Sequence, residues 1–133
     1  MEWFKLHQPQ WQKTDAHRNT ATNILYPIHK AGIYLYTTLS GKPIYVGKAE
    51  DLEKRFSEHL SDNENNKELL QFLRTQPAVL YYLEVEREED RQGIELYLFS
   101  QLQPQYNNIT PSAQRIVAVD LPAEVAKWEQ TVH

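Results

Sequence analysis

The stretch 32–60 concentrates side chains that can act on a phosphate ester. Two tyrosines are followed by three side chains that can carry positive charge: Tyr34, Tyr45, Lys48, Arg55 and His59. Phosphodiester hydrolysis needs an activated water, neutralisation of the charge on the transferring phosphate, and help for the leaving oxygen. An arginine can hold two phosphate oxygens in its planar fork, and a histidine can hold a phosphate or move a proton.

Glu95 is the best candidate for a metal ligand. It lies in a mostly apolar stretch, residues 94–99, which sets it apart from an ordinary exposed glutamate. Mg²⁺ favours one or two carboxylates, with substrate oxygens and waters completing its octahedron. Taken by helical spacing alone, a metal ligand and an exposed helix glutamate are equally compatible with this position.

Each of these residues also has a purely structural explanation. Tyr34 and Tyr45 could be half-buried strand residues, and Arg55 could be a solvated arginine paired with Asp51 or Glu58. A single helix histidine such as His59 is commonly a surface residue. The residue types alone therefore leave a catalytic and a structural interpretation open.

The local pattern predicts a β-hairpin followed by a helix. The runs 33–38 and 44–46 are rich in β-branched and aromatic residues, and a Gly/Pro turn separates them. Alternation along the two strands places Tyr34 and Tyr45 close together on one face. Asp51 is a plausible N-cap for a helix that runs to about residue 60. In that helix Leu52, Phe56 and Leu60 form the buried stripe, and Arg55 and His59 are neighbours one turn apart.

Further elements follow the same rules of periodicity and termination. We expect helices over 67–75 and 88–101, a strand over 79–85 between them, and a short final helix over 123–130. Pro77 and Pro104 end the two central helices. The order β-β-α-α-β-α predicts an α+β fold in which a three-stranded antiparallel sheet is flanked by helices.

Two triplets, Gly32-Ile33-Tyr34 and Tyr45-Val46-Gly47, resemble the signature of the GIY-YIG nuclease family. Further residues follow in the order typical of the family: Lys48, Arg55, His59, Glu95 and Asn107. The resemblance covers residues 31 to about 110, and the one departure within the triplets, Val46 in place of isoleucine, is conservative.

The resemblance implies a metal-dependent endonuclease that hydrolyses DNA and leaves 5′-phosphate and 3′-hydroxyl ends. It implies Mg²⁺, or Mn²⁺, held by Glu95, and a phosphate stabilised by Arg55. Tyr34 is the expected base, helped to ionise by nearby cations, and Tyr45 would position the water or the phosphate, although either tyrosine could be the base. His59 would move a proton or hold the phosphate. Asn107 would support the site, although the doublet Asn107-Asn108 leaves the register open by one residue. Lys42, Lys48 and Arg55 are the candidate contacts to nucleic acid.

Composition fits one intracellular domain. The chain has 133 residues and no cysteine, and it contains no apolar run or signal-like segment that would suggest a membrane. The net charge of −4 does not favour nucleic acid, but it is unevenly distributed. Residues 1–48 carry six basic and two acidic side chains, whereas residues 49–133 carry eight basic and sixteen acidic ones. A basic half could face a polyanion while the acidic half keeps the domain soluble.

We therefore predict an N-terminal arm over residues 1–30, a nuclease domain over 31–110 and a C-terminal extension over 111–133. Trp3 and Trp11 in the arm could stack on bases, but packing on the core is the better expectation. One active site cuts one strand, so duplex cleavage would need a homodimer, two binding events or a partner nuclease. The alternative functions are a non-catalytic module that binds nucleic acid or a partner protein, and a nuclease directed at RNA.

Overall fold

The computed structural model describes residues 3–6, 9–15 and 29–132. It contains these elements: β1 Trp3–Leu6, β2 Gln12–Asp15, β3 Gly32–Thr37, β4 Pro43–Ala49, α1 Leu52–His59, α2 Lys67–Thr75, β5 Val79–Glu84, α3 Glu88–Leu102, β6 Ile116–Val119 and α4 Ala123–Val132. The predicted strands and helices are confirmed, with ends that differ by a few residues. Within the described ranges, none of the helices is both long enough and apolar enough to cross a membrane.

The predicted α+β fold with an antiparallel sheet is confirmed, and the sheet has one strand more than expected. Its order is β2-β5-β3-β4, so the three predicted strands form one continuous unit and β2 adds an edge. A separate two-stranded parallel sheet joins β1 to β6. The sequence of β2, Gln-Lys-Thr-Asp, contains no apolar residue, which explains why alternation did not reveal it.

Both faces of the central sheet are covered, and every residue of β3 is buried. On one face Ile33, Leu35 and Val46 pack with the apolar residues of α3 and β6. On the other face Tyr34 and Tyr36 pack with those of α1 and α2. The pleat of β3 therefore sends alternate side chains into two separate cores, and the tyrosines point toward α1.

Helix α1 begins as predicted, because the Asp51 side chain accepts a hydrogen bond from the Lys54 amide at 3.0 Å. Leu52 and Phe56 are buried against the tyrosine face of the sheet, and Leu60 packs beside them while partly exposed. This packing fixes the rotation of α1. It turns Arg55 and His59 toward the same face of the hairpin.

The flanking segments pack on the sheet. Strand β2 pairs with β5, and Trp11 joins the apolar core while its Nε1 donates a hydrogen bond to the Asp120 carbonyl at 2.8 Å. The expectation that Trp11 packs on the core is thus confirmed. The Trp3 side chain lies outside the described structure, as do residues 1–2, 7–8 and 16–28 of the predicted arm. The division into arm, nuclease domain and extension stays a prediction.

Candidate active site

Tyr34 is the buried centre of the site. Only 1% of it is exposed, and its Oη lies 2.6 Å from Nε2 of His59. The register of the hairpin places it opposite Gly47. A Cβ on Gly47 would lie 2.3 Å from the Tyr34 hydroxyl oxygen, so the second triplet needs glycine to let this ring lie across the strand. The two triplets are therefore coupled by direct packing.

Tyr45 shares the predicted face with Tyr34 and is more accessible. Their rings are stacked with centroids 6.1 Å apart. Tyr45 borders two clefts, one shared with Arg55 and one shared with Glu95. It therefore stands between the candidate phosphate-binding side chain and the candidate metal ligand.

Burial, rather than the nearby cations, dominates the ionisation of both tyrosines. Burial raises the pKa of Tyr34 well above the ordinary value of 10.0, with Tyr45 adding to this effect and Arg55 opposing it. The pKa of Tyr45 is also raised by burial, again with Arg55 opposing. Arg55 favours the phenolate of each tyrosine, as expected of a nearby cation, but in the protein alone desolvation outweighs the guanidinium. A buried tyrosine that acts as a base needs somewhere to send its own proton.

Arg55 projects from α1 into the first cleft, a space of about 410 Å³ that is also lined by the loop 61–66. Its side chain is 33% exposed, and Nη1 lies 3.9 Å from Glu58 and 3.6 Å from Glu64. The Glu58 contact is at the outer limit of an ion pair, so it holds the guanidinium only weakly. Arg55 thus remains accessible to a ligand in this cleft.

His59 is wholly buried, unlike an ordinary surface histidine. Its ring lies 5.4 Å from the Tyr34 ring and 5.2 Å from the Tyr45 ring, centroid to centroid. Burial, followed by the charge of Arg55, lowers the pKa of His59 to about 3. This holds although Nδ1 lies only 3.0 Å from Oε2 of Glu64, a contact that favours the protonated ring. We take the neutral ring as the resting form, because a fully buried cation is costly.

Glu95 lies on α3 and lines a second cleft, of about 370 Å³, together with Lys48 and Asn107. Burial raises the pKa of Glu95, and the positive charge of Lys48 opposes that rise. In the described part of the chain no group of three or more histidines and acids could hold a metal. A single, partly desolvated carboxylate at an open polar cleft fits Mg²⁺, which accepts one protein ligand with waters and substrate oxygens.

Asn107 ties the chain after α3 to the free edge of β4. Its Oδ1 accepts a hydrogen bond from the Val46 amide at 2.9 Å, and its Nδ2 donates one to the Val46 carbonyl at 2.8 Å. The side-chain amide therefore replaces a neighbouring strand at the residue between Tyr45 and Gly47. This places Asn107, rather than Asn108, in the supporting position.

Two findings could not be read from the sequence pattern. Lys42 is exposed in the turn between β3 and β4 and lines neither of the two clefts. Glu64, in the loop between α1 and α2, is buried beside His59 and Arg55. The sequence presents Glu64 only as one acid in a polar loop, and no spacing rule identifies it.

The profile of the UvrC-like GIY-YIG domain matches residues 30–108, more than half of the chain. The chain belongs to this family. The family relationship predicted from the two triplets is therefore confirmed, and with it membership in a group of nuclease domains. The match begins just before β3 and ends just after Asn107, so it contains all the candidate site residues.

Relatives of this GIY-YIG chain are the proteins named UvrABC system protein C. That of Chlamydia muridarum is 34% identical over 76 residues, which is 57% of this chain and 13% of the relative. That of Campylobacter jejuni is 29% identical over 111 residues, which is 77% of this chain and 18% of the relative. The chain thus spans less than a fifth of the length of these curated relatives.

Solved structures of the GIY-YIG N-terminal endonuclease domain of UvrC from Thermotoga maritima share this fold. One, bound to its catalytic magnesium, has a TM-score of 0.54 and 25% identity, over 67% of this chain and 96% of that domain. A point mutant of the same domain, bound to its catalytic divalent cation, has a TM-score of 0.55 and 24% identity, over 68% and 97%. The second likeness supports the fold alone.

Proposed function

We propose that this chain is a metal-dependent endonuclease that hydrolyses DNA phosphodiester bonds. The observation that carries the proposal is the position of Tyr45, which borders both the cleft of Arg55 and the cleft of Glu95. A phosphate lying across Tyr45 could contact the guanidinium on one side and a carboxylate-bound cation on the other. Hydrolysis of a phosphodiester requires this pairing of positive charges around the transferring group.

The side chains have distinct roles in this proposal. Arg55 holds two non-bridging phosphate oxygens and stabilises the charge of the transition state. Tyr34 takes a proton from the attacking water, and Tyr45 orients that water or the phosphate. Lys48 and Lys42 contact the nucleic-acid backbone, and Asn107 keeps β4 in position.

Glu95 is the proposed ligand of Mg²⁺, which Mn²⁺ could replace. The cation supplies charge neutralisation at the phosphate and at the leaving oxygen. Burial raises the pKa of Glu95, and the positive charge of Lys48 opposes that rise, which favours the ionised carboxylate that a metal needs.

DNA is the proposed substrate because residues 1–48 carry a net positive charge, with six basic and two acidic side chains, and this part of the chain includes most of the hairpin with both tyrosines. The relatives are named as components of the UvrABC system, so a role in DNA repair with partner proteins is part of the proposal. One site hydrolyses one strand. A second cut would come from a homodimer or from a partner nuclease.

Cleavage assays with Mg²⁺ or Mn²⁺ test this function on duplex, single-stranded, flap and branched DNA, and on RNA of the same sequence. We expect metal-dependent nicking of DNA that Glu95→Gln abolishes. Glu88→Gln, an exposed acid on the same helix, is the matched control and should nick as the wild type does. If the wild type binds these substrates but cuts none, the chain is a binding module. Faster cleavage of RNA than of DNA would reassign the substrate.

A further inference from the structure

We propose that Glu64 is a positioning residue for the reaction: its carboxylate orients His59, so that the ring accepts the proton of Tyr34 when Tyr34 deprotonates the attacking water. The inference rests on the proposed nuclease function and names a residue outside the family signature. It gives the buried tyrosine the proton acceptor that it otherwise lacks.

The three side chains form a continuous buried series. Tyr34 Oη lies 2.6 Å from His59 Nε2, and His59 Nδ1 lies 3.0 Å from Glu64 Oε2. The side chains of His59 and Glu64 are 0% and 4% exposed. Water therefore cannot substitute for either partner, and each polar atom depends on the next.

The carboxylate determines which ring nitrogen carries the proton. An ionised carboxylate only accepts hydrogen bonds, so the nitrogen that faces Glu64 is the one that bears hydrogen. Nδ1 makes no well-aligned hydrogen bond within the described ranges, although the Glu64 oxygen is within reach. With hydrogen on Nδ1, Nε2 has a free lone pair, and the Tyr34 hydroxyl donates to it. Tyr34 Oη also accepts a hydrogen bond from Arg55, and its remaining lone pair is the one that takes the proton of the water.

Glu64 is itself fixed in place. Its Oε1 accepts a hydrogen bond from the Asn66 amide at 3.0 Å, and its Oε2 lies 3.6 Å from Arg55 Nη1. The charged or titratable groups that face His59 are therefore Glu64 and Arg55 on its polar side, with the rings of Tyr34, Tyr36 and Tyr45 around it. One carboxylate thus contacts both the proton acceptor and the phosphate-binding arginine.

The proton transfers balance over one turnover. As the water oxygen attacks phosphorus, its proton passes to Tyr34 Oη, and the Tyr34 proton passes to His59 Nε2. The imidazolium is a transient species, because burial and the charge of Arg55 disfavour it at rest, and its ion pair with Glu64 offsets part of that cost. The P–O3′ bond breaks, its electron pair leaves with the 3′ oxygen, and that oxygen takes a proton from solvent. His59 then returns a proton to Tyr34, which loses one to solvent, so one water is consumed and the protein is unchanged.

The kinetic test compares Glu64→Gln with the wild type, and repeats the change in a His59→Gln background. General acid–base catalysis contributes about 10²–10⁴-fold, so we expect loss of the orienting carboxylate to lower kcat about 10–100-fold with little change in KM for DNA. In the His59→Gln background the same change should alter kcat by less than about threefold, because residues that act as a unit are not additive.

Glu58→Gln removes the other acid near Arg55 and should keep the wild-type pH profile of kcat. If the effects of Glu64→Gln and His59→Gln on kcat were fully additive, or if Glu64→Gln changed only KM, Glu64 would act only through Arg55. Either result would overturn the proposal.

A second measurement does not depend on turnover. The ¹⁵N chemical shifts of the His59 ring report its tautomer, and we expect hydrogen on Nδ1 in the wild type and loss of that preference in Glu64→Gln. Hydrogen on Nε2 in the wild type would overturn the relay even if DNA is cut. Conversely, the expected tautomer in a protein that cuts no nucleic acid would count against the nuclease function and leave the orienting role of Glu64 supported. Thermal unfolding of each variant verifies that it is folded.

Discussion

At the level of single residues, Arg55 differs from the buried pair Tyr34 and His59, because it keeps a third of its side chain exposed. We expect Arg55→Ala to leave the fold nearly intact and to lower kcat about 10²–10³-fold, since a charge-assisted donor to the phosphate is lost. Arg55→Lys, which keeps the charge without the planar fork, should recover only part of the activity. Steady-state cleavage kinetics and urea unfolding measure the two effects. An unfolded Arg55→Ala protein would identify Arg55 as a structural ion-pair residue instead.

The buried neutral histidine predicts a dependence of stability on pH. The pKa of His59 is lowered from 6.5 to about 3, so between these values the unfolded chain binds more protons and stability falls as pH falls. Between pH 7.5 and pH 5 the wild type should lose about 2 kcal/mol more than His59→Gln does. Urea unfolding at the two pH values measures the difference. Equal losses in the two proteins would show that the ring is not held neutral.

Residue types revealed most of the candidate site. The tyrosines, Arg55 and Glu95 could be selected because their chemistry suits a phosphate ester, and their order matches a family signature. Glu64 could not be selected from the sequence, because its importance arises from its burial against His59. The burial of a loop residue depends on tertiary packing. The same reason explains the ionisation of the tyrosines: Arg55 lowers their pKa values as its charge suggests, but the larger, opposite effect of burial depends on tertiary packing.

At the level of elements, β4 is an edge strand, and the Asn107 side-chain amide pairs with its outer edge at Val46, next to a backbone hydrogen bond from Tyr106 to Ile44. Asn107→Asp keeps an acceptor for the Val46 amide but removes the donor to the Val46 carbonyl, and places a charge there. We expect a loss of about 1–3 kcal/mol in the free energy of unfolding, with lower activity because Tyr45 is adjacent. Asn108→Asp is the matched control, and its stability should stay within about 0.5 kcal/mol of the wild type. An equal loss in both variants would exclude the special role of Asn107.

Elements with a strong hydrophobic period were predictable, and those without one were not. Helix α2 has the predicted bounds, because Leu69, Leu70 and Leu73 define one buried face and Asn66 caps its start. Strand β2 is polar throughout, and its pairing with β5 is made by the backbone. Pairing through main-chain hydrogen bonds does not require particular side chains, so the residue types of β2 do not indicate a strand.

At the level of the whole molecule, the segment before β3 contributes to the core. Trp11→Ala should cost about 2 kcal/mol of stability, since a half-buried indole and its hydrogen bond to Asp120 are lost. Trp11→Phe should recover the packing part of that loss. Nicking at a temperature where both variants are folded should equal that of the wild type, because Trp11 lines neither cleft. Loss of nicking with retained stability would instead favour stacking of Trp11 on a base.

The parallel pairing of β1 with β6 brings Trp3 alongside Ile116, and so joins the two far parts of the described chain. Closing so long a loop has a high entropic cost, and contacts between residues far apart in the sequence form slowly. During synthesis β1 has no partner strand until β6 has left the ribosome. The hairpin with its tyrosines can form from local contacts well before that moment. Formation of the β3–β4 hairpin and formation of the β1–β6 sheet are therefore separable in time, and the β1–β6 sheet is the later step.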